Sequence, residues 1–371
     1  MGPDSAAPER TARLAVVAAG GTGGHLFPAE ALARALIQRG WRIVLATDRR
    51  GAEYAQDFPA EERLALDAAT FRLTDPVGMT RGGAQVVRGA LGAFAAYHRL
   101  KPAVVVGFGG YPSLPALMAA PFAGARTVIH EQNAVLGRVN RFLAPFASAV
   151  ACAFPTLEKA SAGVKRKAVV VGNPIRPAIR ALYDQPYAPP GEGPIHLLVT
   201  GGSQGAQLLS EVVPAAIALL PEDIRSRLRV TQQTREASLK LARRIYAEAI
   251  VEAQLAPFFR DIAERLAGTH LVIGRAGAST VCELATTGRP SILIPLGIAM
   301  DDHQRFNARL LTGAGAAEAI PEGEFTPTRL AEAILAAVAP GRLEAAAAAA
   351  HAVASPDAAD RLADLVEHTA A

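Results

Sequence analysis

Cysteine, tryptophan and aromatic side chains in general are scarce in this chain: two Cys and one Trp in 371 residues, with 5% aromatics in all. Cys152 and Cys282 are too few for a disulfide framework and stand at no metal-ligand spacing, so a reducing compartment is expected. No basic run is interleaved with the few aromatics, which disfavours nucleic acid as a partner. The formal net charge of +4 instead suits an anionic partner such as phosphate or anionic lipid. No apolar run approaches the roughly 18 residues that span a bilayer. The nearest, PALMAAPFAGA, is short and broken by proline. The opening MGPDSAAPERTA is polar throughout, so no secretory signal is expected there. With 50% hydrophobic and 19% charged residues, the composition is globular and the length allows two full cores.

One pattern is present twice. LAVVA, from Leu14, runs into GGTGGH and then an amphipathic stretch to Arg39; IHLLVT, from Ile195, runs into GGSQGAQ and another ending near Leu220. Between and after them, WRIVLAT, AVVVGFGG, ARTVIHEQ, LRVTQQT, THLVIGRAG and PSILIPL alternate with helix-like segments. Buried runs alternating with helices predict parallel sheets covered on both faces. The expected fold class is α/β, with two Rossmann-like domains and a Pro/Gly-rich linker at Asp184–Pro194. Ligands of such sheets bind at the carboxyl ends of the strands, where the glycine turns fall.

GGTGGH is neither a dinucleotide fingerprint nor a P-loop: from Gly21 the last fingerprint position is Leu26, and no lysine follows. What remains is a glycine loop feeding a helix N-terminus, whose free N–H groups and dipole favour a diphosphate. His25 stands at that helix start, where the positive end disfavours an imidazolium and leaves a neutral base. Its alternative is a capping or packing role. GFGGYPSLP is a second glycine turn, HEQNAVLGRVNR clusters polar residues after a strand, and VGNPIR ends the first half with Arg176. In the second half, GRAGASTVCELATTG opens a helix at Ala278–Thr280 whose N–H groups suit a nucleotide phosphate, with Glu283 one turn on to accept ribose hydroxyls. A capping box, Thr280 to Glu283, is the alternative there. Cys282 reads as a buried helix residue. Asp301 and Asp302 read either as Mg²⁺ ligands for a nucleotide sugar or as first-turn caps.

Taken in order, GGTGGHLFPA, GFGGYPSLP, HEQNAVLGRVNR, VGNPIR, GGSQGA and GRAGASTVCELATTGRP resemble the MurG family of bacterial glycosyltransferases from about Leu14 to Gly315. The resemblance implies a GT-B architecture, two Rossmann-like domains facing across a cleft. Residues 11–176 would form the acceptor and membrane-docking domain, 177–354 the UDP-N-acetylglucosamine domain, and 355–371 a helix packing back on the first. It also implies donor contacts from Thr22, Gly23 and Gly24 in the first glycine loop, Asn133 on the sugar, and Arg176 and Ser203. Phe259 would read uracil through its backbone. Ala278, Ser279, Thr280, Val281, Cys282 and Glu283 would form the phosphate and ribose element, and Gln304 would contact the sugar. QQTR, Gln232–Arg235, departs from the family's HQTG-like stretch.

The implied reaction moves N-acetylglucosamine from UDP-N-acetylglucosamine to undecaprenyl-diphosphate-linked muramoyl-pentapeptide (lipid I), giving lipid II with inversion. Helix N-termini and Arg176 would hold the leaving diphosphate with no protein-bound metal and no cofactor, and His25 would be the general base. A UDP-N-acetylglucosamine 2-epimerase or a non-catalytic nucleotide-sugar-binding regulator are the alternatives; the failed fingerprint puts a dehydrogenase last. A polyprenyl acceptor requires docking on a membrane, implying a peripheral place on the cytoplasmic face of the inner membrane. Cell-wall synthesis and division proteins are candidate partners. Met79–Lys101 offers Val87, Leu91 and Phe94 at helical spacing among Arg81, Arg88, Arg99 and Lys101. Its alternative is an amphipathic helix packed on its own sheet.

Overall fold

The computed structural model describes residues 12–20, 23–48, 51, 57–67, 76–202, 207–297 and 300–371, with the side chains of 76–80 and 300 left aside. Thr22 and Ser203 lie outside the described residues.

Thirteen described strands form two sheets, all of them parallel. The first contains β1 (Leu14–Ala18), β2 (Arg42–Thr47), β3 (Glu62–Ala65), β4 (Val104–Gly107), β5 (Arg126–Glu131), β6 (Ala149–Cys152) and β7 (Ala168–Val170), in the order β3-β2-β1-β4-β5-β6-β7. The second contains β8 (Ile195–Thr200), β9 (Leu228–Gln233), β10 (Glu252–Ala256), β11 (Leu271–Gly274), β12 (Ser291–Leu293) and β13 (Ala317–Ala319), in the order β10-β9-β8-β11-β12-β13. In both, the order reverses beside the first strand of the sheet, opening a crevice at its carboxyl end.

The continuous apolar runs follow from burial on both faces. Along β1, Ala15 and Val17 join one core cluster with Val104, Val106 and Val128, while Leu14, Val16 and Ala18 join the opposite one with Val105 and Ile129. Successive side chains point to opposite faces, so a strand covered on both sides is apolar along most of its length, with buried polar residues such as His130, Glu131, Gln232 and Gln233 falling at the carboxyl ends of β5 and β9. The second sheet repeats the division, Leu197 and Val199 on one face and Leu198 and Val272 on the other.

The chain passes between the sheets twice. The first passage follows β7, where Ile175 and Ile179 pack with Val281 and Leu284 of the helix Ala278–Thr286. The second returns through Ser355 to the helix Ala358–Ala370, whose Leu362, Ala363 and Val366 enter the first domain's core beside Leu36 and Trp41. Arg39 pairs there with Asp360, Asp364 and Glu367, and the indole N–H of Trp41 donates to Glu367 at 2.9 Å.

Candidate active site

Gly20, ahead of the first helix, has a packing reason within the protein itself. A Cβ on Gly20 would meet Pro112 Cγ at 2.6 Å, so the loop after β1 and the turn after β4 can approach only through glycine. In that turn Gly109 and Gly110 have φ of +79° and +75°, a left-handed conformation that L side chains rarely adopt. The turn runs beside the His25 ring, which sits in the first turn of the helix Gly23–Gln38, opened by Gly23 and Gly24.

The residues after β5 behave unlike a set of free ligands. Glu131 is buried and organises its own loop: Oε1 accepts from the Asn133 backbone N–H at 3.0 Å, and Oε2 accepts from Gly137 N–H at 2.9 Å and Asn140 Nδ2 at 2.8 Å. His130 and Gln132 are also buried, and Gln132 Oε1 lies 3.0 Å from His25 Nδ1. Asn133 is held from the other domain. Asn307, fully buried in the helix His303–Ala314, donates to Asn133 Oδ1 at 3.1 Å and Ala276 O at 3.2 Å, and accepts from Ala134 N–H at 2.8 Å.

Across the cleft, the helix Ala278–Thr286 starts at Gly277 with no side-chain cap. Its first-turn N–H groups have no intrahelical acceptor and open toward the end of β11. Val281 and Cys282 are in the core beneath, the Val281 N–H already donates to Gly277 O at 2.9 Å, and burial pushes the Cys282 thiol up to about 12. The capping-box alternative is not formed. Glu283 turns instead to Arg176, whose Nε and Nη2 donate to Glu283 Oε1 at 3.1 and 2.9 Å. Burial raises the Glu283 carboxyl, and the Arg176 guanidinium opposes that rise. The same guanidinium stands 5.1 Å from the ring centroid of Phe27, two residues after His25. Arg176 therefore bridges the two helix starts.

Gln304 uses its carbonyl oxygen to accept from Ala276 N–H at 3.2 Å and Leu296 N–H at 3.0 Å, joining the loops after β11 and β12. Phe259 is buried beneath Arg265, whose Cζ lies 4.0 Å from the ring centroid. Asp301 fits neither of its two readings: its oxygens accept from Lys159 and, at 3.0 Å, from Arg141, joining the domains, while Asp302 pairs with Arg305 at 2.8 Å and makes no capping bond.

Sequence reasoning missed Asn307 and the use of Gln233. Gln233 Oε1 accepts from Thr200 Oγ1 at 3.2 Å and Gly201 N–H at 3.1 Å, while Nε2 donates to Gly202 O and Pro257 O, both at 3.1 Å. It ties the second glycine loop to the segment carrying Phe259. The departure of QQTR from the family pattern pointed to this place without giving the contacts.

Two parallel-sheet domains that set glycine turns and helix N-termini against one another across a cleft define a glycosyltransferase of GT-B architecture. Residues 15–152 match the glycosyltransferase family 28 N-terminal domain and residues 196–362 the family 28 C-terminal domain. A relative from Phenylobacterium zucineum is 63% identical over 360 residues, covering 96% of this chain and 99% of its own length. One from Caulobacter vibrioides is 63% identical over 359 residues, with the same coverages. Both are described as UDP-N-acetylglucosamine–N-acetylmuramyl-(pentapeptide) pyrophosphoryl-undecaprenol N-acetylglucosamine transferase. The crystal structure of Acinetobacter baumannii MurG superposes with a TM-score of 0.79 at 31% identity, covering 96% of this chain and 99% of that one. A kitacinnamycin glycosyltransferase, 17% identical with a TM-score of 0.70 over 97% of this chain and 99% of that one, shares the fold. The chain belongs to the MurG family of glycosyltransferase family 28.

Proposed function

We propose that the chain transfers N-acetylglucosamine from UDP-N-acetylglucosamine to the muramoyl 4-hydroxyl of undecaprenyl-diphosphate-linked muramoyl-pentapeptide, inverting the anomeric centre. The observation that carries the site is the Arg176 bridge, which puts the His25 helix start and the Glu283 helix start on one cleft. The helix start at Ala278–Thr280 and Arg176 receive the diphosphate, where negative charge gathers as the glycosidic bond breaks. Glu283 exchanges its bond to Arg176 for the ribose hydroxyls, Asn133 and the amide of Gln304 face the sugar, and Thr22 and Ser203 join from the two glycine loops. The sugar carries positive charge in an oxocarbenium-like transition state, and His25 takes the acceptor's hydroxyl proton.

No single described helix is long and apolar enough to cross a bilayer, and the acceptor carries a polyprenyl chain. The helix Pro76–Leu100 supports docking on an anionic surface. Val86, Ala93 and Tyr97 face the core, while Val87, Leu91 and Phe94 are 56%, 64% and 39% exposed. An outward apolar stripe flanked by Arg81, Arg88, Arg99 and Lys101 suits lipid headgroups better than it suits water. We assign the protein a peripheral place on the cytoplasmic face of the inner membrane, with cell-wall synthesis and division proteins as partners there.

The test is transfer of radiolabel from UDP-N-acetylglucosamine to a short-chain lipid I analogue. A labelled disaccharide lipid formed with stoichiometric UDP release is the expected result. UDP release independent of acceptor would instead support an epimerase, and binding without turnover a regulator.

A further inference from the structure

His25 ends a buried polar chain whose direction is fixed at two points. Gln132 Nε2 lies 2.8 Å from Phe108 O and 3.3 Å from His130 Nδ1, and His130 Nε2 lies 3.0 Å from Gly172 O. Backbone carbonyls only accept. Gly172 O therefore takes the proton of His130 on Nε2. His130 is buried, and desolvation brings its pKa down to about 4, so its Nδ1 is bare at neutral pH and accepts from the Gln132 amide. Phe108 O likewise requires the amide nitrogen of Gln132 on its own side. The carboxamide oxygen is thereby turned to His25 Nδ1, 3.0 Å away, and it too can only accept. His25 must donate there.

We infer that Gln132, oriented by Phe108 O and His130, is a positioning residue that holds His25 as the Nδ1–H tautomer and leaves Nε2 as the proton acceptor. The inference rests on the general-base reading of His25 and says how that base is prepared. A histidine with its proton on the other nitrogen turns a donor, not a lone pair, toward the substrate. In the step itself the acceptor O–H bond breaks as the new O–C bond to the anomeric carbon forms. The electron pair of the breaking C–O bond leaves with UDP, and the proton arrives on His25 Nε2. Gln132 then still accepts from Nδ1–H.

The test uses full-length protein with ¹⁵N-labelled histidine and long-range ¹H–¹⁵N spectra, the His25 signals being those absent from His25→Ala. In the unmutated protein Nδ1 is expected as a protonated, pyrrole-type nitrogen and Nε2 as a pyridine-type one. In Gln132→Met, of similar length but without hydrogen-bonding groups, the spectrum moves toward the Nε2–H form. There kcat is expected to fall about 10- to 100-fold, within the range of general-base contributions, while KM for UDP-N-acetylglucosamine stays within about twofold. His25 found as Nε2–H in the unmutated protein, a measurement needing no variant at Gln132, overturns the inference. So does a Gln132→Met spectrum identical to the original. Normal turnover by His25→Ala would remove the general base itself, and is distinguished because the tautomer spectrum is unaffected by it.

Discussion

Asn307 offers the sharpest perturbation of the cleft, because one side chain with no exposed surface makes three hydrogen bonds and two of its partners belong to the other domain. Asn307→Ala leaves the Ala134 N–H without its acceptor, in a place that is itself buried. At about 1 kcal/mol for each lost bond, with at least about 1 kcal/mol more for the orphaned donor, the variant should lose about 4 kcal/mol. Asn307→Asp keeps the shape and the Oδ1 that Ala134 needs. Its second oxygen, however, faces Asn133 Oδ1 and Ala276 O at the positions now 3.1 and 3.2 Å from Nδ2. Two carbonyl oxygens around a buried carboxylate raise its pKa well above the unfolded value of about 3.9. The unfolded chain then ionises more readily than the folded one, so the penalty is small below about pH 4 and grows as pH rises toward the folded value. A rise of about 3 units amounts to about 4 kcal/mol at pH 8. Asn307→Asp should therefore be milder than Asn307→Ala in mild acid and at least as damaging at pH 8. Hydrogen exchange at the Ala134 amide reads the contact directly, and in Asn307→Ala it should quicken about a hundredfold relative to the original. Unchanged protection at Ala134, or an Asn307→Asp penalty that is flat with pH, would refute the interdomain clasp.

Glu283→Ala is expected to weaken UDP-N-acetylglucosamine by about 1–3 kcal/mol in calorimetry, through lost charge-assisted bonds to the ribose. Unaltered affinity with a lowered melting temperature would leave Glu283 only as a partner of Arg176. Because burial raises the Glu283 carboxyl, its ionisation erodes the stability of the ligand-free fold as pH climbs from the ordinary glutamate value through the folded one; Glu283→Gln should lack that slope in pH-dependent unfolding. His25→Ala should cut kcat by about a hundredfold or more while sparing donor affinity, and normal turnover at saturating acceptor would exclude it as the base. Binding to cardiolipin- or phosphatidylglycerol-rich vesicles should weaken with salt, and further when Arg81, Arg88 and Arg99 are changed together to Glu. Arg99 pairs with Glu62 and Arg88 lies 3.9 Å from Asp67, so two of the reversals also set like charges side by side. Turnover on a water-soluble acceptor is the control, and undiminished co-sedimentation of the triple variant would put the docking surface elsewhere.

What the sequence made legible is what chain neighbours decide. β1 and β8 are announced by apolar runs ending in glycine, because burial on both faces and the sharp exit to a helix are local requirements. Glu283 shows the limit of that logic. Thr280 and Glu283 match a capping box over four residues, yet the carboxylate goes to Arg176, 107 residues earlier. Asn307 reaches Ala134 across 173 positions, and nothing in RFNARLL distinguishes it from a polar residue on a solvated face. His25 and Gln132 are likewise 107 residues apart. The pairs that shape the cleft are made by tertiary contact, and no local period records them. The glycine loop before His25 illustrates the converse: the close approach it suggested exists at Gly20, and the approaching group is Pro112 of the same protein.

The double passage of the backbone between the two sheets has a practical consequence for dissecting the molecule. Residues that complete the first domain's core, Leu362, Ala363 and Val366, are translated after all six strands of the second sheet, so that core is completed only once the second domain has been synthesised. A fragment cut after the first passage would expose the seats of those side chains beside Leu36 and Trp41, together with an Arg39 deprived of its three carboxylates. Separate expression of the two halves is therefore expected to give one aggregation-prone product, rescued by supplying the last helix as a peptide or by a permuted gene that joins it ahead of β1. The two passages also touch, since a Cβ on Gly172 would meet Ser355 Cβ at 2.6 Å, so a side chain introduced at Gly172 would force the outgoing and returning strands of backbone apart.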